Sequence, residues 1–344
     1  MLKPLLNTLY VQTQGSYLRL DHETLRLEVE RKVVGQVPLQ HIGGMVVFGN
    51  VMVSPFLMHR FAGEGRSLVW LTQAGRFKCR LSGPVTGNVL LRKAQYIAQS
   101  DAQSAFQIAR NIVAGKVRNS RTVIQRAARE ANGATDREAL EDASSLLAAS
   151  LRAAGRARTL DEVRGVEGRA GRVYFEVFGR TVRADREVFS FNGRNRRPPR
   201  DRVNALLSFV YALVRGDCVS ACEGVGLDPQ FGYLHALRSG RPSLALDLME
   251  ELRPVLADRL VLALINRAQL TDRDFDPRPG GSVNLTESGR RTVLTAYQTR
   301  KQKEVTHPVV GQSVPSGLVP HLQARLLARH LRGDSEAYLP FTPK

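Results

Sequence analysis

The fold is decided by the segment Leu81-Ser82-Gly83-Pro84-Val85-Thr86-Gly87-Asn88-Val89, because the hydrophobic pattern changes from one side of it to the other. Serine, glycine, proline and asparagine are concentrated here, and such clusters end regular secondary structure. Before the segment, apolar and polar residues alternate as in half-buried strands, whereas after it apolar residues recur with helical spacing. The sequence therefore predicts an α+β protein: a β-rich, sandwich-like domain over residues 1–86 and a larger, helical domain over residues 87–344.

The N-terminal domain is predicted to consist mainly of strands. Residues 17–21 and 25–30 both alternate, and the short segment His22-Glu23-Thr24 between them suits a hairpin turn. Ser54 followed by Pro55 is typical of a helix start, with an N-cap before proline at the first helical position. Three further strands are predicted at residues 45–48, 68–71 and 77–81.

The C-terminal domain is predicted to be almost only helix, with a small hairpin at residues 275–285 as the single exception. That segment is rich in proline and glycine, which punctuate turns. Pro254 separates two helices, and Thr159 with Glu162 forms a capping-box pattern at the start of another. The predicted helices cover residues 89–99, 102–131, 136–154, 160–178, 201–222, 243–252, 255–267, 288–304 and 317–331.

Positive charge indicates the class of partner. The 344 residues include 50 Lys and Arg against 32 Asp and Glu, a net charge of +18. Residues 151–215 contain fifteen arginines, seven acidic residues and no lysine. Because guanidinium groups bind phosphate oxygens in pairs of hydrogen bonds, we interpret this excess as binding of nucleic acid rather than as a solvated surface.

Two other classes of protein are excluded by composition. No apolar run of about 18 residues is present, so we expect no membrane span. Three cysteines are too few for a disulfide framework, and Cys218 and Cys222 lack further ligands at zinc-finger spacing. We therefore expect a cytoplasmic protein with structural thiols.

One histidine and a nearby acidic helix are the first candidates for chemistry. His235 precedes the predicted helix 243–252, on which Asp247 and Glu250 are three residues apart and project from one face. Carboxylates with an imidazole suit Mg²⁺ or Mn²⁺. Spacing alone favours the alternative of a solvated acidic helix edge beside a core histidine.

Glu167 is the second candidate. It lies in the stretch Val166-Glu-Gly-Arg-Ala-Gly-Arg-Val-Tyr-Phe175, where one acidic residue, two glycines and two arginines share one end of an apolar helix. Small residues there allow another backbone to approach closely. Unpaired surface charges explain the pattern equally well, so this alternative stays open.

Three segments taken together resemble the CRISPR-associated integrases, the Cas1 family. They are residues 165–175, residues 194–211, and His235 with residues 240–254. Their order and separation fit the family, as does the change from strands to helices along essentially the whole chain. Residues 275–281 and 292–298 further resemble the branch that accompanies type I-C interference genes.

The resemblance implies a metal-dependent DNA endonuclease and integrase, which inserts prespacer DNA into the CRISPR array by attack of a 3′-hydroxyl on a phosphodiester. It implies that Glu167, His235 and Glu250 bind Mg²⁺ or Mn²⁺, and that Asp247 supports the site as a fourth catalytic residue. We expect five arginines to contact DNA: Arg194, Arg196, Arg197, Arg200 and Arg241.

The partners implied by the resemblance are double-stranded DNA (the prespacer and the CRISPR repeat), a second copy of the chain, and the small companion protein Cas2. The N-terminal domains are expected to form the homodimer. Two alternatives from other classes stay open: a non-catalytic DNA-binding scaffold, and a general DNA-repair nuclease or junction resolvase. Retention of Glu167, His235 and Glu250 together argues against the scaffold.

Overall fold

Two compact units make up the chain in the computed structural model, residues 1–86 and residues 87–344. The structure describes residues 8–73, 77–81, 83 and 89–343. The predicted boundary, between residues 86 and 87, lies outside the described residues. The order of elements confirms the predicted fold class, because strands dominate the first unit and helices the second.

The N-terminal unit contains two four-stranded sheets, with strand orders β1-β5-β7-β8 and β4-β3-β2-β6. Their inward faces share one apolar core, in which Leu18, Met45, Leu57 and Leu68 are fully buried. The elements are β1 Thr8–Val11, β2 Ser16–Asp21, β3 Thr24–Val29, β4 Lys32–Pro38, β5 Gly44–Phe48, β6 Val51–Val53, α1 Pro55–Gly63, β7 Ser67–Leu71 and β8 Phe77–Leu81.

Two sequence signals in this unit are confirmed, the predicted hairpin and the predicted helix start. β2 and β3 pair as an antiparallel hairpin that places Leu20 opposite Leu25. The hydroxyl of Ser54 accepts a hydrogen bond from the N–H of Leu57 (3.3 Å) and so caps α1. Strands β1, β4 and β6 were not predicted.

The helical unit is organised around α3, which packs against α4, α5 and α7. Its helices are α2 Val89–Ser100, α3 Ala102–Arg129, α4 Ala134–Arg156, α5 Leu160–Val177, α6 Arg202–Val225, α7 Ser243–Leu252, α8 Arg259–Asn266, α9 Glu287–Gln302 and α10 Val319–Leu331. Because helices cover α3 on several sides, even polar residues such as Lys116, Asn119 and Ser120 are buried in it. This burial brings charged groups into the interior of the unit.

Strands occur twice in the helical unit. The predicted hairpin is present as β9 Phe275–Pro277 with β10 Val283–Leu285. A second antiparallel pair, β11 Glu304–Thr306 with β12 Ser313–Pro315, was not predicted, so the expectation of a single exception was wrong. Its strands have only three residues each, too few to show an alternating pattern.

The segment around Pro254 also differs from the expected break. Residues Arg253–Asp258 form a π-helical turn, and α7 passes through it into α8 without a loop. Proline has no N–H to donate, and a wider turn accommodates its ring within a continuous helical path. Such turns often occur at functional sites, and this one begins three residues after Glu250.

One described helix, α6, is long and apolar enough on average to cross a membrane, although polar and charged residues interrupt its sequence, so it contains no continuous apolar run of that length. Of its most apolar window, 56% is buried inside the protein, as in a core helix. Cys218 and Cys222 are among its buried residues and carry free thiols.

Candidate catalytic centre

Two carboxylates and one ammonium group form the middle of the candidate centre. Glu167 on α5 and Glu250 on α7 both form ion pairs with the Nζ of Lys116 on α3, which lies 2.6 Å from Oε2 of Glu250. The side chains of Lys116 and Glu250 are buried, whereas that of Glu167 is 30% exposed. The centre is therefore accessible to solvent on the Glu167 side.

His235 joins this group from the loop between α6 and α7. Its Nε2 lies 3.8 Å from Oε1 of Glu250, and its Nδ1 lies 2.7 Å from Oδ1 of Asp247. Since an ionised carboxylate only accepts hydrogen bonds, Nδ1 donates to Asp247, and Nε2 is the ring nitrogen that faces Glu250. The imidazole thus presents its second nitrogen to the same space as Glu250.

Asp247 positions the loop rather than facing the centre. It is fully buried, and besides Nδ1 of His235 it accepts hydrogen bonds from the backbone N–H groups of Tyr233 (2.5 Å), Leu234 (3.0 Å) and His235 (3.0 Å). Gly232 permits this close approach, because a Cβ there would lie 2.6 Å from Oδ2 of Asp247. With its oxygens occupied in this way, Asp247 orients His235.

The electrostatics of Glu250 favour a permanently ionised carboxylate. Burial alone would raise the pKa of Glu250, but the charges of Arg253, Lys116 and His235 outweigh burial and hold the pKa at about 2. Arg253 is an ion-pair partner of Glu250 on the following turn. Although burial acts to lower the pKa of Arg253, Glu250 and other nearby groups raise it.

A hydrogen-bond cluster lies beside Arg253. The hydroxyls of Tyr174 and Tyr211 donate to the two carboxylate oxygens of Asp258, at 2.8 and 2.7 Å. The guanidinium carbon of Arg253 lies 5.1 Å from the centre of the Tyr211 ring, a cation–π distance. Arg253, the charge partner of Glu250, therefore lies against the aromatic face of Tyr211, and the negative charge of Asp258 helps to raise its pKa.

The donor set suits a divalent cation once the ammonium group moves. No group of three His, Cys, Asp or Glu among the described residues already converges on a common point. Lys116 instead places a positive charge between Glu167 and Glu250, where hard oxygen donors would bind Mg²⁺ or Mn²⁺. The ammonium group stands in for a cation at this position, and His235 adds a nitrogen donor beside it.

The five arginines expected to contact DNA lie in different surroundings. Arg194 is half-buried and donates to the Asn204 side chain (2.6 Å) and to Ser208 (3.1 Å), so it fastens its own segment to α6. Of the other four, Arg196, Arg197 and Arg200 are exposed, and Arg241 is half-buried. The exposed three have side chains available for phosphate.

Sequence reasoning missed three residues of this centre: Lys116, Arg253 and Asp258. Lys116 lies in an otherwise ordinary helical pattern, far from both of its partners in sequence. Arg253 and Asp258 flank Pro254, and the only available signal was the presence of charges within an apolar helical pattern, because buried charges require partners.

Comparisons with known proteins agree with this architecture. The sequence model of the family described as CRISPR associated protein Cas1 matches residues 9–299. A "CRISPR-associated endonuclease Cas1 1" of Moorella thermoacetica is 57% identical over 337 residues, which are 98% of each chain.

Two solved structures share the fold. One is titled "Casposase bound to integration product" and has a TM-score of 0.83 at 23% identity, covering 98% of this chain and 93% of that one. The other belongs to a "Cas6-RT-Cas1--Cas2 complex" and also has a TM-score of 0.83, at 20% identity, covering 98% of this chain and 36% of that one.

Proposed function

The chain belongs to the Cas1 family of CRISPR-associated proteins, and from this premise we propose that it is a metal-dependent DNA endonuclease and integrase of CRISPR adaptation. One observation carries the proposal: carboxylates from α5 and α7 flank a single positive charge, beside an imidazole that a buried carboxylate orients. The endonuclease name of the Moorella relative and the integration product in the casposase structure support the reaction class.

The proposed reaction is a transesterification of DNA. The oxygen of a prespacer 3′-hydroxyl loses its proton and bonds to a phosphorus atom of the repeat. The bond from that phosphorus to the leaving 3′ oxygen breaks, and this oxygen takes up a proton to become a new 3′-hydroxyl. Bound by Glu167, His235 and Glu250, a divalent cation would supply Lewis-acid polarisation of the phosphodiester and would lower the pKa of the attacking hydroxyl. With water in place of the hydroxyl, the same arrangement hydrolyses DNA.

The residues of the chain have separate tasks in this reaction. Asp247 keeps the Nδ1 proton of His235 in place, so that Nε2 remains a donor atom. Arg253 keeps Glu250 ionised and fixes its direction. Once displaced from the carboxylates, Lys116 can donate to a phosphate oxygen and balance its charge.

The proposed partners follow from the family and from the charge. We propose double-stranded DNA and Cas2 as partners, in line with the Cas1–Cas2 complex that shares this fold. We propose that the protein acts in the cytoplasm, as expected for an enzyme whose substrate is DNA. Exposed arginines at 196, 197 and 200 would hold phosphates without reading bases.

Separating chemistry from binding tests the proposal. Glu167→Ala, His235→Ala and Glu250→Ala should each reduce joining of a labelled 3′-hydroxyl end to repeat DNA by about 100-fold or more, since each removes a ligand of the cation. Their affinity for DNA should stay near that of the wild type.

The matched control is the triple variant Arg196→Gln/Arg197→Gln/Arg200→Gln. It should weaken DNA binding and flatten its dependence on salt while leaving the acidic centre intact. Wild-type protein that binds DNA but never joins strands, with Mg²⁺ or Mn²⁺ present, would favour the scaffold. Cleavage of branched DNA without any preference for the repeat would favour the repair nuclease.

A further inference from the structure

A large cavity in the helical unit lies apart from the candidate catalytic centre. It has a volume of about 1190 Å³, and we call it the α3/α8/α9 cavity after the helices that line it. Its α3 lining begins at Val123 and includes Arg126, ten residues beyond Lys116. At about 1.5 Å per residue, this is a separation of about 15 Å along the helix.

The charge of its walls is strongly unbalanced. Seven arginines and one lysine line the cavity, and Glu130 is the only acidic residue among its described lining residues. Glu130 is shared by two of these arginines, Arg126 (2.8 Å) and Arg183 (3.2 Å). Two others pair with carboxylates outside the lining, Arg180 with Asp136 (2.8 Å) and Arg291 with Glu287 (3.5 Å). Within the described part of the chain, no carboxylate forms an ion pair with Arg259, Arg267 or Arg300.

The arginines also influence one another. The pKa of Arg300 is lowered to about 10, first by burial and then by the charges of Arg259, Arg126 and Arg267. Burial, followed by Arg126, lowers the pKa of Arg259 as well, and Glu130 only partly opposes this effect. Positive charges held close together without counter-charges are stabilised when an anion binds between them.

The other lining residues indicate which kind of anion fits. Thr292, Thr295 and Thr299 recur along one face of α9 and line the cavity together with Asn266. No aromatic ring occurs among the described lining residues, so the cavity offers no surface for stacking a base. Its volume exceeds the range of about 300–1,000 Å³ that is typical of small-molecule sites.

We propose that the α3/α8/α9 cavity is a second DNA-contacting site, which holds phosphates of a DNA strand independently of base sequence. The site goes beyond the proposed function, because it lies away from the residues that would carry out the reaction. Its contribution is to keep a strand on the enzyme through charge alone.

The test removes two charges from the cavity and two from elsewhere. The first cavity variant is Arg259→Gln/Arg267→Gln. The second is Arg267→Gln/Lys303→Gln, which changes only exposed side chains and serves if the half-buried Arg259 is needed for folding. Arg152→Gln/Arg329→Gln is the matched control, with two exposed arginines of the same unit outside the cavity.

The measurement is fluorescence anisotropy of labelled single-stranded and duplex DNA at several salt concentrations. For each cavity variant, we expect the slope of log affinity against log salt to become shallower by roughly 1.4 for single strands, since each lost phosphate contact contributes about 0.7. The control variant should keep the wild-type slope.

Three results would overturn the proposal. One is an unchanged slope in cavity variants that melt as folded proteins. Another is an equal decrease of the slope in the control variant, which would mean that only the net charge of the protein matters. The third is loss of pyrophosphate binding with DNA affinity intact, which would identify a small-anion site. Because binding is read without any chemistry, this test and that of strand transfer can fail independently.

Discussion

At the scale of single residues, Lys116 balances the charge of the candidate centre. Its ammonium group lies between Glu167 and Glu250, and a divalent cation bound by both carboxylates would take its place. The buried Glu250 has a second cationic partner in Arg253, but the more exposed Glu167 has Lys116 as its only ion-pair partner among the described residues. Removal of the Lys116 ammonium group therefore affects Glu167, the more exposed carboxylate, more than Glu250.

Lys116→Met should make the protein depend on a metal ion for stability. Without metal, two carboxylates lose their shared counter-charge, so the melting temperature in EDTA should fall below that of the wild type. Mn²⁺ should raise the melting temperature more in the variant than in the wild type, because no ammonium group has to be displaced.

Lys301→Met provides the comparison for Lys116→Met. Lys301 is also buried and pairs with a carboxylate, Asp217, at 3.0 Å on a different set of elements. Its loss should lower the melting temperature but leave the gain from Mn²⁺ unchanged. An equal Mn²⁺ gain in wild type and Lys116→Met would mean that ammonium and cation do not share one position.

The candidate residues of this centre were predictable from sequence only in part. Glu167, His235 and Glu250 stand in motifs that resemble a family, so they could be selected without coordinates. Lys116 could not, since a lysine within a helical pattern usually lies on the surface. Asp247 was expected to share the site, whereas its hydrogen bonds to three backbone N–H groups depend on a loop geometry that sequence does not reveal.

At the scale of elements, the C-terminal segment is fastened to α7 beside the centre. Glu251, fully buried, accepts hydrogen bonds from the hydroxyl of Tyr338 (2.6 Å) and the N–H of Phe341 (3.1 Å). The segment crosses α3 at Gly115, where a Cβ would lie 2.5 Å from Cβ of Pro340. Gly115 thus permits the approach that lets these residues reach Glu251.

Gly115→Ala should destabilise the protein although alanine favours helix. The added methyl group would push Pro340 away and weaken the hydrogen bonds to Glu251, at a cost of about 1–3 kcal/mol in the free energy of unfolding. Gly165→Ala on α5, where a Cβ meets nothing within 4 Å, should instead stabilise by roughly 0.5–1 kcal/mol. Chemical denaturation of both variants measures these changes. Equal changes in the free energy of unfolding would show that the C-terminal segment does not need a close approach to α3 at Gly115.

The hairpin β11/β12 joins the same network through His307. This fully buried residue lies just after β11, and its Nε2 donates to Oε1 of Gln323 (3.0 Å), whose amide nitrogen donates to Glu251 (2.8 Å). The N–H of Val310 points to Nδ1, so the neutral ring fits the network. Burial lowers the pKa of His307 below the ordinary 6.5, and Gln323 only partly opposes this.

Acid should therefore weaken the protein through His307. A lowered pKa means that the unfolded chain binds the proton more tightly, so stability is complete above about pH 6.5 and falls as the pH decreases towards the folded-state value. We expect His307→Gln to lose less melting temperature than the wild type between about pH 7.5 and about pH 5.5. The exposed-site control His59→Gln should follow the wild type, and a wild-type slope in His307→Gln would contradict the assignment.

The long helices were predictable because each buries an apolar face of many residues, so the helical spacing of apolar residues is visible in the sequence. Short strands at an edge could not be read in the same way. β4 contains no buried residue, and its sequence does not alternate regularly between apolar and polar residues, while β11 has only three residues. The π turn was missed because Pro254, judged from the sequence around it, predicts the end of a helix. In the structure, α7 continues through this turn into α8.

At the scale of the whole molecule, β4 is an edge strand of the N-terminal unit that exposes apolar residues. It is the edge of its sheet, and two adjacent residues, Val33 and Val34, are 49% and 58% exposed. The register of the β3–β4 pairing shifts at this point, between the pairs Leu27–Gly35 and Glu28–Val33, and both valines stay exposed within the described unit. Apolar edge strands favour pairing with another chain.

We expect the intact protein to be a homodimer whose contact includes β4. Light scattering should give twice the chain mass of 38.1 kDa, and Val33→Lys/Val34→Lys should give the monomer mass. Leu146→Lys, at an exposed apolar position on α4, should remain dimeric. A wild-type monomer that still inserts both ends of one DNA fragment would rule out this assembly.

The central claim is that Glu167, His235 and Glu250 bind one divalent cation, and crystals grown with Mn²⁺ and measured for anomalous scattering test it most directly. We predict one strong anomalous peak among these three side chains, with donor atoms within about 2.0–2.6 Å and the Lys116 ammonium group displaced. A peak elsewhere, or Lys116 still bridging the two carboxylates at saturating Mn²⁺, would contradict the claim.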